Sequence, residues 1–338
     1  MSVDASSTQT ERAYHALQHG AVVTNRSDRL RMLFTGEKAT ESLTGLVTND
    51  VSSLTVGRGQ YAAALTNKGK ILADVRIFAT EGGLLVDANA AAGAQWAAMV
   101  KKFVNPRLAK YQDISQQSGD VGVFGPNALE VVRAVFSGNE IPGDLGNYGH
   151  MIVSFADTSM MLARVPEFGV DGYDIIGPRE LMDELYANFV NAGAIEDANE
   201  ALRLARIEAG RPEWGIDMDD SMLAQEMDMD RLDAISYTKG CYTGQETVAR
   251  VHYRGHVNRL LRGLRFSDTI APPPGTPLTD AEDREVGTVK SGAVSPRLGA
   301  IALALLRREI EPGSTVRAKW SGSSAEARVE PLPMAPDG

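Results

Sequence analysis

The residues best suited by type and spacing to do chemistry are one thiol, two carboxylates and a short basic strip. The chain's only cysteine, Cys241, lies in K-G-C-Y-T-G-Q-E at 239–246. A thiol attacks as its thiolate, so a reactive cysteine needs a nearby base, cation or helix N-terminus. Lys239 stands two residues before it, and His252 and His256 follow. No Cys–His–Asn order matches a protease signature. As a metal ligand, Cys241 would need histidines or a partner's thiolates to complete the shell. His252 and His256 have a zinc-like spacing, but Gly255 between them argues against a continuous helix, and we read the spacing as a coincidence. A small buried side chain between Gly240 and Gly244 needs no chemistry. Nucleophile, metal ligand, redox handle and packing residue all stay open at this level.

The carboxylates are more constrained. The stretch DANEALRLARIEAGRPEWG (197–215) is predicted as a helix. Asp197 is its expected N-cap, with Glu200 three residues on in a capping-box arrangement. Gly210 and Pro212 end it. Glu208 then falls in the last turn, where the helix dipole disfavours a carboxylate by ~0.3–1 kcal/mol. It lies one turn after Leu204 and next to Ile207, near the apolar stripe, so it needs a partner. That partner is either a ligand, since a carboxylate can pair with two N–H donors of a heterocycle, or Arg203, Arg206 or Arg211. Asp74, in K-I-L-A-D-V-R-I-F, follows a hairpin by a few residues of strand. If its face is buried it must be paired or bind something. Asp50 in L-V-T-N-D-V reads as a helix or turn cap.

The basic strip is RVHYRGHVNRLLRGLR, from Arg250 to Arg265, with five arginines, two histidines and no acid. The whole chain carries a net charge of −10, which argues against non-specific nucleic-acid binding by its surface as a whole. A local basic strip on an acidic protein suits an anionic small-molecule tail or an acidic partner; it also suits a solvated linker face.

These residues need elements to hold them. At 338 residues the chain is long enough for two or three domains of ~150 residues or fewer each. One cysteine excludes an internal disulfide and fits a reducing cytoplasm. The first 20 residues have no apolar core of a signal peptide, and no apolar run approaches the ~18 residues of a membrane span. Residues 1–19 read as a mobile arm or a loosely docked helix. RLRMLFTG (29–36) alternates as a half-buried strand does. Ala39, Leu43 and Leu46 recur at helical spacing. Residues 59–89 read as strands broken by the turn signals N-K-G (67–69) and E-G-G (81–83). Residues 91–104 suit a helix. The pattern recurs with a strand at 120–125, a helix after Pro126, more strands, and a helix carrying Leu181, Leu185 and Phe189 on one face. Strand clusters followed by helices predict an α+β fold, not a doubly wound sheet. No dinucleotide or P-loop motif occurs. After residue 255 strand-like pieces with Gly and Pro turns predict a small β-barrel, with AIALALLRR as one short apolar helix or strand.

Three stretches taken together resemble a known family: LVTNDVSSLTVGRGQYAAALTNKGKILADVRIF, RIEAGRPEWGIDMDD and KGCYTGQETVARVHYRG. They look like the YgfZ-type folate-binding proteins, including the mitochondrial members. EVGTVKSGAVSPRLGAIALALLRRE resembles the C-terminal domain shared with the glycine-cleavage T-protein, an aminomethyltransferase. The resemblance covers residues from about 25 to 332, and K-G-C-Y-T-G-Q-E is specific to the YgfZ branch. It implies a three-lobed ring around a central folate channel with a C-terminal β-barrel. We expect a folate-binding region at 20–250, built from two interleaved α+β lobes, and a barrel domain at 256–332. The implied cofactor is tetrahydrofolate or another folate form. Glu208 matches the glutamate that holds the pterin edge. Asp74 matches the second aspartate of the T-protein's paired motif, and Ala73 replaces the first, which weighs against one-carbon transfer. The folate tail is anionic, so charge makes Arg250 and Arg254 candidate contacts. The resemblance also implies a role in iron–sulfur cluster assembly or repair, with an indirect effect on tRNA modification. Iron–sulfur proteins or assembly factors are then the partners, with no direct nucleic acid and no membrane. Cys241 becomes a partly exposed, redox-active or cluster-contacting thiol, with Lys239 lowering its pKa. The alternative is a tetrahydrofolate-dependent aminomethyl- or methyltransferase.

Overall fold

In the computed structural model, residues 5–197 and 199–336 are described, with side chains from residue 9 onward. Helix α1 (Ala5–His19) leads into strands β1 (Val22–Asn25) and β2 (Leu30–Thr35) and helix α2 (Ala39–Thr44). Strands β3 (Gly59–Leu65), β4 (Ile71–Thr80) and β5 (Gly83–Ala88) form a meander, followed by helix α3 (Ala90–Phe103) and strand β6 (Lys110–Asp113). Then come β7 (Ser118–Phe124), α4 (Ala128–Val135), β8 (His150–Phe155), β9 (Thr158–Arg164), β10 (Gly172–Pro178) and α5 (Met182–Asn191). Strand β11 (Ile195–Glu196) and helices α6 (Glu200–Glu208) and α7 (Gln245–Arg254) precede the last six strands. These are β12 (Arg259–Phe266), β13 (Pro277–Thr279), β14 (Glu285–Ser295), β15 (Gly299–Arg307), β16 (Thr315–Trp320) and β17 (Ser323–Glu330).

The strands make three bodies. One sheet runs β3-β4-β5-β2-β6, a second runs β11-β1-β7-β10-β9-β8, and the last six strands close as β12-β15-β14-β13-β16-β17. The α+β class and the C-terminal barrel therefore match the sequence expectation. The turn signals also do their work: Gly69 and Gly83 both take positive φ in the hairpins β3–β4 and β4–β5. No helix among the described residues is long and apolar enough to cross a membrane.

The AIALALLRR segment resolves as strand β15, and its continuous apolar run has a two-sided cause. Ala300, Ala302, Ala304 and Leu306 fill the barrel interior. Ile301, Leu303 and Leu305 face the other way, into the main core shared with α6 and the first sheet. A strand buried on both faces loses the alternation that identifies strands in sequence.

Two departures concern the termini of helices. Residues 1–19 are not a loose arm in their described part, because Tyr14 and Leu17 of α1 are buried in the main core. The capping box at α6 also differs. The N-cap is Asn199 in left-handed conformation. Asp197 still accepts from the N–H groups of Ala201 and Leu202 at 3.2 and 3.0 Å, but Glu200 pairs with Arg203 rather than reaching back.

A buried charge network joins the two sheets. Arg31 and Arg76 of the first sheet are 0% and 1% exposed, which obliges them to find carboxylates. Arg76 holds Asp87 at 2.8 Å and reaches Glu167 at 3.1 Å and Asp174 of β10. Arg31 reaches Asp120 of β7 at 3.2 Å. Arg26, just after β1, contacts Glu167 and Asp174. Removing one member of such a set strands a buried charge, at a cost of ~3–5 kcal/mol. The signal was present in sequence: β4, β5, β7 and β10 each carry buried charge in otherwise apolar surroundings.

A candidate ligand site between the lobes

Two clefts open beside the two sheets, and of the network's charges Arg26 lines one of them. One, of about 310 Å³, is lined by Asn49, Gln60, Tyr61, Tyr148, Arg211 and Arg231, among others. The other, of about 270 Å³, is lined by Arg26, Arg29, Phe168, Arg203 and Arg206, among others. Strand β3 carries Tyr61 to the wall of the first cleft. Its ring stacks on Tyr148 at 6.4 Å between centroids, with planes 12° apart. The Arg211 guanidinium lies 4.4 Å over the Tyr61 ring and donates to the Tyr148 hydroxyl at 3.0 Å. Tyr148 adopts φ +58°, a left-handed backbone held in place by the lobe around it. Sequence reasoning missed Tyr61, Tyr148, Arg211 and Arg231 as a set, because four separate segments bring them together.

Asp74 of β4 sits directly opposite Ala63 of β3, and the Tyr61 hydroxyl donates to its Oδ2 at 2.9 Å. Its Oδ1 is buried without a hydrogen-bond partner. Burial raises the Asp74 pKa, against the opposing pull of Arg29, the Tyr61 hydrogen bond and Arg211. Burial and the Asp74 charge likewise hold the Tyr61 phenol well above its ordinary value. The arrangement is an aromatic wall with one cation and, one hydrogen bond from Tyr61, a carboxylate with one buried oxygen that meets no donor; Asp74 itself lines neither cleft. A planar heterocycle with N–H donors and an anionic tail has the chemistry to use all three.

Glu208 sits elsewhere. Its carboxylate accepts from the Tyr14 hydroxyl at 2.6 Å, the Ser295 hydroxyl at 2.5 Å and Arg297 at 2.9 Å. It is 3% exposed. The misplaced carboxylate at the helix end therefore has partners, but none of the three arginines of its own segment. Arg206 is taken by Asp217 and Glu213, and Arg211 by Tyr148. Glu208 instead pins α1 and the barrel to α6, and a pterin edge would have to displace those donors.

The Cys241 loop is built on the β3–β4 hairpin. Gly244 has φ +85°, and a Cβ there would meet the Thr66 carbonyl at 2.5 Å and the Leu65 Cβ at 2.9 Å. A Cβ on Gly69 of the N-K-G turn would meet Thr247 at 2.7 Å. Gly244 and Gly69 are thus the contact that seats α7. Gly240 has open space and carries no such demand. Cys241 is exposed, which removes the buried packing reading. Lys239 turns inward: its ammonium donates to the carbonyls of Thr44 and Val47 at 2.5 Å each and lies 4.6 Å from the Tyr242 ring. The cation expected to activate the thiol is engaged in the core. Burial lowers the Lys239 pKa to about 8, with Asp50 opposing. Asp50 itself caps a short helical turn through the Ser52 N–H at 3.0 Å, as its sequence position predicts.

Arg250 and Arg254 are exposed on α7, and neither lines the two clefts. His252 stacks on Tyr237 at 3.6 Å, which gives that histidine a packing role. No cluster of three or more potential metal ligands occurs among the described residues.

Comparison with known proteins agrees with this architecture. Residues 4–236 match the GCVT N-terminal domain, and residues 259–335 match the glycine cleavage T-protein C-terminal barrel domain. The chain is 28% identical over 309 residues to an aminomethyltransferase of Saccharopolyspora erythraea, covering 88% of this chain and 82% of the relative. It is 28% identical over 306 residues to the tRNA-modifying protein YgfZ of Yersinia enterocolitica, covering 88% of each. The crystal structure of the glycine cleavage system aminomethyltransferase T from Bartonella henselae superposes with a TM-score of 0.85 at 20% identity, covering 96% of this chain and 89% of that one. The chain belongs to the glycine cleavage T-protein family, in both its N-terminal domain and its C-terminal barrel.

Proposed function

We propose that this protein binds tetrahydrofolate in the cleft at Tyr61 and serves as an accessory factor for iron–sulfur proteins, rather than as an aminomethyltransferase. The observation that carries the folate reading is the buried, unpartnered Asp74 Oδ1 beside the Tyr61–Tyr148–Arg211 wall. The residues present fit the group: Asp74 offers an acceptor for the pterin N–H edge, Tyr61 and Tyr148 an aromatic wall, and Arg211 a cation. Bound tetrahydrofolate would supply a one-carbon carrier; the chain's own residues would hold and orient it.

The accessory reading rests on two features. Ala73 stands just before Asp74 where the T-protein pattern has its first aspartate, so the paired carboxylates are missing. K-G-C-Y-T-G-Q-E presents an exposed thiol, and the YgfZ relative is similar over 88% of the chain. Cys241 would then contact the client protein or its cluster, in the cytoplasm, with tRNA modification affected only through client enzymes. The aminomethyltransferase reading is favoured by relatives such as the Saccharopolyspora protein. A turnover assay with aminomethylated lipoyl carrier and tetrahydrofolate separates the two. The account expects binding of the folate without turnover; turnover at a rate typical of enzymes, ~1 per second or faster, contradicts it.

A further inference from the structure

The link from α7 to β12, the start of β12 and the end of β15 with the turn after it enclose a cleft of about 510 Å³, lined by His256, Asn258, Arg259, Arg307, Arg308 and two glutamates, Glu309 and Glu311. It lies outside the folate cleft and shares no lining residue with it. From the cleft geometry and its charges we infer that it docks an acidic segment of a partner protein.

Three observations carry this. First, part of the positive charge at this place is free. Arg259 is paired with Glu226 at 2.9 Å and Arg307 stands 4.0 Å from Glu309. Arg308 and His256 make no side-chain hydrogen bond or ion pair among the described residues, and neither do Arg250 and Arg254 on the adjoining helix. Arg250, Arg254 and Arg308 are thus three arginines without a carboxylate partner, on a protein of net charge −10. Such a patch draws an oppositely charged partner and sets its orientation. Second, Tyr253 is 64% exposed in the last turn of α7, just before the cleft's first lining residue and next to Arg254. Tyrosine and arginine are the side chains over-represented where protein interfaces concentrate their energy. Third, the lining chains are exposed apart from half-buried Arg259. A small-anion site would use converging, buried donors.

The cleft's own carboxylates decide between an acidic protein and a nucleic acid. Glu309 and Glu311 would repel a continuous run of phosphates. A protein segment can set its carboxylates against the arginines and spare the glutamates. The inference does not depend on folate binding, so either can fail alone.

The test is fluorescence anisotropy with two labelled probes: a peptide of alternating glutamate and serine, and a uridine oligonucleotide of equal charge. The full-length protein is titrated at low and at physiological ionic strength. A generic peptide suffices because the attraction argued is one of charge. The expected result is peptide binding that weakens with salt and falls at least about tenfold in Arg254→Glu/Arg308→Glu. The neutral pair Arg254→Gln/Arg308→Gln should lose less, and Lys101→Glu/Lys102→Glu on exposed α3 should bind as the parent does. Absence of peptide binding, equal losses in the two charge-reversed variants, or tighter binding of the oligonucleotide than of the peptide overturns the inference.

Discussion

The Tyr61 hydroxyl holds one oxygen of Asp74 at 2.9 Å and leaves the other buried and unpartnered. Buried polar atoms are usually satisfied, and one that is not calls for an explanation. Asp74 lies one hydrogen bond from Tyr61, which lines a cleft with Tyr148 and Arg211, although Asp74 itself is not part of the lining.

Glu208 is read as a structural tie rather than a ligand. Glu208→Gln keeps the shape and removes the charge facing Arg297. It should cost ~1–2 kcal/mol of unfolding free energy, since the amide N–H faces half-exposed Arg297 while Oε1 still accepts from Tyr14 and Ser295. Tetrahydrofolate affinity should stay within about threefold of the parent. Urea denaturation and a binding titration on the same variant check both halves; lost affinity at unchanged stability would make Glu208 a ligand after all.

The two glycines that fence Cys241 should behave differently. Gly244→Ala meets Thr66 and Leu65 in a left-handed backbone, so a loss of ~2–4 kcal/mol is expected. Gly240→Ala enters open space and should change stability by less than about 0.5 kcal/mol. Thermal or urea unfolding of the two variants, side by side, gives the comparison; equal losses would mean that α7 is not seated on the β3–β4 hairpin as described.

Lys239 predicts a pH dependence with a definite sign. Its pKa is about 8 in the fold and ~10.4 in an unfolded chain. A group depressed by folding adds stability above its unfolded pKa and loses it as pH falls through its folded pKa. Unfolding free energy should therefore gain an increment between about pH 8 and ~10.4 that Lys239→Met lacks. Parallel pH curves for parent and variant would show that the ammonium is not held in the core.

Cys241 should be dispensable for the fold. Cys241→Ala removes an exposed side chain, so stability should stay within about 0.5 kcal/mol. The native thiol should react with a maleimide as fast as the urea-unfolded chain does. In cells lacking the native gene, the variant should fail to restore iron–sulfur enzyme activity while still binding folate. Full restoration would remove Cys241 from the function.

The fold was largely legible in the sequence because its signals are local. Gly69 and Gly83 mark hairpins, Leu185 and Phe189 mark a helix face, and the barrel strands alternate. Strand β15 was ambiguous because both its faces are buried, one by the barrel and one by the main core. The site was only half legible. Asp74 stood out as a carboxylate in an apolar strand, and Cys241 as the lone thiol. The partners of Glu208 come from α1 and the barrel, nearly 200 and 90 positions away, and no spacing rule links them. The same holds for Tyr61, Tyr148 and Arg211, which meet only after two lobes pack together.

The most direct test is a calorimetric titration of tetrahydrofolate into the full-length protein, under reducing and oxygen-free conditions, beside Asp74→Ala and Tyr61→Ala. The account predicts binding of one equivalent to the parent. It predicts at least a tenfold loss for Asp74→Ala, the ~1.4 kcal/mol of one charge-assisted hydrogen bond, and a comparable loss for Tyr61→Ala. No heat of binding in the parent, or parental affinity in both folded variants, contradicts it.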